Sequence, residues 1–261
     1  MTKNADWNAT QYSRFEAERT RPVRDLLNAA RANEIRHAAD IGCGPGNSTE
    51  TLLSYAPDAR IIGTDNSSDM IAAARKRLLN VPNVQFELSD ISAWNAPGLF
   101  DLILANAALQ WVPDHETLFP ALLQKLAPGG RLAVQMPDNL DEPAHRLMQK
   151  TAQEGPWRDR LKGAERTKRF DAQWYYAMLQ PLCAHVDIWR TTYYHALDGG
   201  IDAVIEWFEG SALRPFLSRL DETEQAAFLS RYKEALSGAY TVLDNGTVLL
   251  PFPRLFIVAT R

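Results

Sequence analysis

A short β-rich run, Ala38–Ile41, leads straight into Gly42-Cys43-Gly44-Pro45-Gly46, and a helical pattern follows at once. Glycines at a strand-to-helix turn let the backbone bend tightly and approach a ligand closely. Such a turn belongs in a βαβ unit, so it commits the chain to a layered α/β architecture. The next hundred residues agree with that commitment. Arg60–Asp65, Val84–Leu88, Phe100–Ala105 and Arg131–Met136 read as further strands, the last after a Pro128-Gly129-Gly130 turn. Between them lie helical patterns. One carries Leu52 and Leu53, with Asn47-Ser48 able to cap it. Another runs through Met70, Ile71, Ala74 and Leu78 behind a Ser67 or Ser68 cap, and a third covers about Asp114 to Leu126. Alternation at this spacing predicts a mostly parallel sheet. The unbroken apolar run Leu102-Ile103-Leu104 suits a strand with helices on both faces.

Outside this block the pattern changes. Arg19–Ala32 predicts a helix with Val23, Leu26, Leu27 and Ala30 on one face. Two later runs, Val186–Tyr194 and Leu255–Ala259, predict strands and bring the count to seven. Helical patterns at about Asp202–Glu209 and Asp221–Tyr240, then an Asp244-Asn245-Gly246 turn, separate those runs. The expectation is one domain over residues 1–261, with an N-terminal helix or lid over 1–32 and a helical cap at about 196–246.

Composition limits the partners. A net charge of −4 gives no global basic field for nucleic acid. No apolar run reaches membrane-spanning length, and residues 1–7 show no signal-peptide core. One of the two cysteines, Cys43, sits inside the glycine turn, where a bridge would distort the backbone. Both are expected to be reduced thiols in a cytoplasmic protein. The five histidines show no metal-ligand spacing, no Ser/His/Asp arrangement stands out, and the oligomeric state is left open.

The spacing of the glycines discriminates between ligands. A dinucleotide fingerprint requires glycine at position 47, where Asn47 stands, and no Tyr-x-x-x-Lys pair occurs, which disfavours an NAD(P)-dependent oxidoreductase. The run from Asp40 to Gly46 reads D-x-G-x-G-x-G and resembles motif I of class I S-adenosylmethionine (SAM)-dependent methyltransferases, a Rossmann-like fold. The resemblance implies that Gly42, Cys43 and Gly44 hold the methionine part of SAM, with Asp40 fixing the loop and the amino group. In the same register Asp65 and Asn66 end strand 2, where a carboxylate can take both ribose hydroxyls; helix capping is the competing role for Asp65. Met70 falls where the family packs the adenine, Asp90 and Ile91 where it reads the adenine amino group. Asn106 ends strand 4, in a run that resembles motif IV beside the departing methyl group.

Longer runs speak to the acceptor. Val186-Asp187-Ile188-Trp189-Arg190-Thr191-Thr192-Tyr193-Tyr194-His195, Pro253–Ala259, Asp6-Trp7-Asn8 and Leu109–His115 together resemble the trans-aconitate 2-methyltransferase family, from near Asp6 to the last strand. That implies esterification of a small tricarboxylate with release of S-adenosylhomocysteine (SAH). A carboxylate is already ionised at neutral pH, so neither a general base nor a metal is required. Three negative charges call for an arginine clamp helped by other donors. Arg190, Tyr193, Tyr194, His195 and Arg254 are candidates, with Tyr12, Arg19, Gln110 and Trp111 from the other side; strand alternation lets at most one of Tyr193 and Tyr194 face the acceptor. Tyr12 and Arg19 have a competing role over the SAM carboxylate. A methyltransferase of another small acid or small molecule, and a non-catalytic SAM-binding protein, remain as alternatives.

Overall fold

The computed structural model describes residues 16–31, 34–164 and 170–261, with side chains described from Thr20 onward. In chain order the elements are α1 (Glu16–Ala29), β1 (His37–Ile41), α2 (Asn47–Tyr55), β2 (Arg60–Asp65), α3 (Ser68–Arg77), β3 (Val84–Leu88), β4 (Phe100–Asn106), α4 (His115–Gln124) and β5 (Leu126–Pro137). They continue with α5 (Pro143–Glu154), α6 (Arg158–Leu161), α7 (Ala172–Leu179), β6 (His185–Asp198), α8 (Gly200–Glu209), α9 (Arg214–Leu217), α10 (Glu222–Ser237) and β7 (Thr247–Thr260).

The seven strands form one mixed sheet in the order β3-β2-β1-β4-β5-β7-β6. β1 pairs in parallel with β2 and with β4, and the β2–β3 and β4–β5 pairings are parallel too. Strand order therefore reverses direction between β1 and β4. Beyond the carboxyl ends of these two strands the flanking loops part and leave a crevice. Leu102, Ile103, Leu104 and Ala105 in β4 are all fully buried. Successive side chains point to opposite faces, so both faces of β4 are covered.

The chain divides into two compact units. The first takes residues up to Pro137, Phe170–Thr191 and Leu255–Arg261 and holds the parallel strands. Its α1 buries the expected face, Val23, Leu26, Leu27 and Ala30, and packs against α2 and β5. The second unit takes Asp138–Arg169 and Thr192–Arg254. It packs α5 on α10 and α8 on α10; the Tyr232 hydroxyl donates to the Ala144 carbonyl (3.0 Å) deep in that interface. The helical unit thus draws on α5 and α6 as well as on the 196–246 segment read from sequence. Helix α10 opens with a full capping box, Asp221 on Glu224 N–H and Glu224 on Asp221 N–H. Among the described residues no helix is long and apolar enough to cross a membrane.

Candidate functional site

The glycine turn is held at both ends. Gly42 and Cys43 N–H both donate to the Thr64 carbonyl at the end of β2 (2.7 and 2.9 Å), and Gly44 N–H donates to Asp65 Oδ2 (3.0 Å). Gly42 adopts φ +73°, and a Cβ placed there would sit 2.3 Å from the Ala108 Cβ. Only glycine satisfies both conditions. Helix α2 then starts with Gly46 at its N-cap, not with an Asn47 or Ser48 cap. The Ser48 hydroxyl turns to Asp40 instead. Ser48 Oγ and Thr49 Oγ1 both donate to Asp40 Oδ2 at 2.7 Å, tying the first turn of α2 to the end of β1.

A cleft of about 340 Å³ opens at the carboxyl ends of β1 to β4, within the first unit. It brings together Gly42, Cys43, Gly44, Asp65, Asn66, Met70, Asp90, Ile91 and Asn106, every cofactor residue expected from sequence except Asp40, which is buried beneath the loop. Trp111, expected on the acceptor side, also lines it, at 44% exposure. Sequence reasoning missed Ser92, Ala107, Ala108, Val112 and Pro113 as lining residues, and it gave Asn47 and Ser48 only a capping role. Their one available signal was adjacency to strand ends already identified.

Asp65 stands at the cleft, and the helix cap weighed for it falls to Ser67 instead. Asp65 Oδ1 accepts from Ser67 N–H (2.9 Å), while Ser67 itself caps α3 through Met70 N–H. Burial pushes its carboxyl above the ordinary range. Backbone N–H groups of Gly44, Asn66 and Ser67 point at this carboxylate, whose two oxygens together can accept about four hydrogen bonds, so capacity for a further donor remains. Asp90 is exposed; hydrogen bonds from the Ser92 hydroxyl and N–H hold its carboxyl below the ordinary range.

The charge of the cleft is informative. Asp65 and Asp90 line it, Asp40 lies behind it, and no lysine, arginine or histidine lines it among the described residues. A diphosphate would meet no countercharge here, whereas a ligand with a cationic centre is favoured. Asn106 Oδ1, also on the cleft, is buried without a hydrogen-bond partner among the described residues, a costly arrangement that a ligand donor would relieve.

Burial pushes Asp40 up to about 6, against the opposing hydrogen bonds from Thr49 and Ser48. The native state therefore keeps this proton longer than the unfolded chain does. Stability is greatest with Asp40 protonated and falls as pH rises from about 4, where unfolded carboxyls ionise, to about 6. Asp40→Asn removes this titration. The melting temperature of the ligand-free wild type should drop relative to Asp40→Asn across that window and run parallel to it above. Curves parallel throughout would show that Asp40 does not titrate there.

The acceptor candidates separate. Strand β6 alternates cleanly at its end, burying Tyr193, His195 and Leu197 and exposing Tyr194 and Asp198. Arg254 is only 4% exposed, with its guanidinium 4.7 Å above the Phe252 ring and 6.0 Å from that of Tyr193. His195 stacks on Trp207 at 4.4 Å. Tyr193, His195 and Arg254 thus share one aromatic cluster in the second unit, whereas Arg190 and Tyr194 are exposed on β6. Trp207 and Phe252 carried no functional signal in sequence beyond an apolar pattern. Gln110 is buried and does not line the cleft; its Nε2 donates to the Ala107 carbonyl (2.6 Å). Tyr12 lies outside the described residues, as does the side chain of Arg19.

A family model described as a methyltransferase domain matches residues 38–130. The trans-aconitate 2-methyltransferase of Variovorax paradoxus (strain S110) is 49% identical, over 98% of this chain and 98% of its own length. The protein of the same name from Methylobacterium nodulans is 51% identical, over 98% of this chain and 99% of its own. Among solved structures, the YcgJ protein of Bacillus subtilis aligns with a TM-score of 0.62 at 15% identity, covering 92% of this chain and 98% of that one, a likeness of fold alone.

Proposed function

The chain belongs to the trans-aconitate 2-methyltransferase family, and from that premise we propose that it transfers a methyl group from SAM to one carboxylate of trans-aconitate. The products are the monomethyl ester and SAH. The observation that carries this reading is the length of the match. It extends past the 38–130 methyltransferase domain over 98% of the chain, and so includes the segments that hold Tyr193, His195 and Arg254.

SAM suits the cleft because it is a sulfonium and an ammonium in one molecule, and among the described residues the cleft is lined by acid without base. In this assignment Gly42 and Gly44 carry the methionine part, Asp65 accepts from the ribose hydroxyls, and Met70 and Ile91 flank the adenine. Asn106 Oδ1 supplies an acceptor near the reacting end. When bound, SAM supplies an electrophilic methyl group. The chain has only to orient an ionised acceptor in line with it and exclude water. No proton leaves a carboxylate acceptor at neutral pH. We assign Arg254 as the clamp on the acceptor, with Tyr193 and His195 as further donors. Charge-assisted, two-pronged hydrogen bonds from a buried arginine offset the repulsion between a trianion and an acidic protein. With both cysteines free, the reading extends to a reducing, cytoplasmic setting.

Incubation with labelled SAM and a panel of di- and tricarboxylic acids tests the acceptor. Label should move to trans-aconitate in preference to citrate, fumarate and succinate. Transfer to another acceptor with none to trans-aconitate would overturn the substrate and leave the cofactor in place.

A further inference from the structure

Among the described residues Ala107 is the one non-glycine with positive φ, +52°. Alanine meets a steric penalty in that conformation that glycine does not. The strained residue lies on the wall of the cleft, directly after Asn106. Strain kept at a site needs restraints that over-determine it. Two hydrogen bonds hold it. Ala107 N–H donates to the Gln135 carbonyl (2.9 Å), continuing the β4–β5 pairing. The Ala107 carbonyl accepts from Gln110 Nε2 (2.6 Å). Two oxygens at that distance would repel, so the amide orientation is fixed by its partner.

Gln110 is itself anchored. It lies in a short 3-10 turn, Leu109–Trp111, whose Leu109 carbonyl meets His115 Nε2 at 2.8 Å. A carbonyl can only accept, so Nε2 carries the proton in that bond. His115 Nδ1 lies 2.7 Å from the Tyr175 hydroxyl, fully buried on α7. At the other end of the relay, Ala108 abuts Gly42 so closely that no side chain fits between them. The conformation of Ala107 therefore sets how the loop after β4 meets the glycine turn.

We propose that Gln110 is a positioning residue: its amide holds Ala107 in the left-handed conformation and so fixes the wall of the SAM cleft between Asn106 and Gly42. This rests on the functional reading above and departs from the expectation that Gln110 touches the acceptor. Its donor group is turned to Ala107. Its other polar atom, Oε1, is a buried acceptor with no hydrogen-bond partner among the described residues, which offers a carboxylate nothing.

The test is a double-mutant cycle between Gln110→Leu and Ala107→Gly, read as SAH affinity by calorimetry well below the melting temperature. Gln110→Leu should weaken SAH about tenfold, within the range of coupled neighbours. The Ala107→Gly single variant supplies the reference affinity for the cycle. In the Ala107→Gly background, Gln110→Leu should cost no more than about twofold, because glycine occupies positive φ as readily as negative. General loss of stability would lower the melting temperature without producing this rescue. Gln110→Met keeps the length of the side chain and removes the N–H, and it replaces the leucine variant if that fails to fold; the same rescue is expected. An equal loss in both backgrounds, or no loss at all, overturns the positioning role. Wild-type protein that does not bind SAH overturns the functional reading and this role with it.

Discussion

Gly42→Ala should abolish methyl transfer while leaving the protein folded. The added Cβ would lie 2.3 Å from the Ala108 Cβ, a separation that real side chains do not reach, and neither partner is a flexible tip that can swing away. The backbone at φ +73° adds a penalty of about 1–2 kcal/mol for any residue with a Cβ. Relief requires the glycine turn and the Ala107–Ala108 wall to part, and those are two walls of the cleft. SAH affinity should fall by more than about 100-fold, the equivalent of about 3 kcal/mol. Gly98→Ala is the control. Gly98 has a similar φ, +87°, but no atom within 4 Å of the added Cβ, and it does not line the cleft. It carries the backbone strain without the collision, and SAH affinity should stay within about twofold of wild type. Equal effects of the two substitutions on SAH affinity would show that the Ala108 contact does not shape the cleft.

Arg254→Met should raise the KM for trans-aconitate by about 100-fold and leave SAH affinity unchanged. Methionine roughly preserves the volume of the buried stem over Phe252, so lost packing contributes little. What goes is the guanidinium. Removing one member of a buried charge pair costs about 3–5 kcal/mol. Arg254→Lys keeps the charge but not the planar fork and should fall between the two. Arg190→Ala, on the exposed stretch of β6, should change KM by less than about threefold. A large effect at Arg190 with none at Arg254 would move the clamp to the other arginine.

These two positions were legible in sequence to different degrees. Gly42 could be read because its constraint is local: a glycine pattern between a strand and a helix carries its own geometry. The same holds for β2 and β3, whose ends at Asp65 and Leu88 fall where the apolar runs stop. Ala107 was illegible. Nothing marks an alanine as left-handed, since its conformation is imposed by Gln110 and Gln135, which lie three and twenty-eight positions away. The start of β7 was hidden for another reason. Pro251 and Pro253 argue against a strand, and the sequence-based reading begins it at Leu255, yet β7 runs from Thr247. The two prolines are two residues apart, so both missing donors face one edge, while the Pro253 carbonyl still accepts from Asp138 N–H (2.9 Å). Alternation alone left Tyr193 and Tyr194 undecided. Burial separates them, at 5% and 66% exposed. Helices α5 and α7 were passed over because neither is tied to a motif, although α7 supplies the Tyr175 that steadies His115.

The central claim is transfer to a carboxylate oxygen, and the alkali lability of the product tests it most directly. Trans-aconitate methylated with label on the SAM methyl group, freed of SAM and treated with mild alkali, should release its label as volatile methanol. The acid should be regenerated unlabelled, and the label transferred should match SAH one for one. Label that stays on the acid after alkali would mean methylation at carbon and would contradict the account.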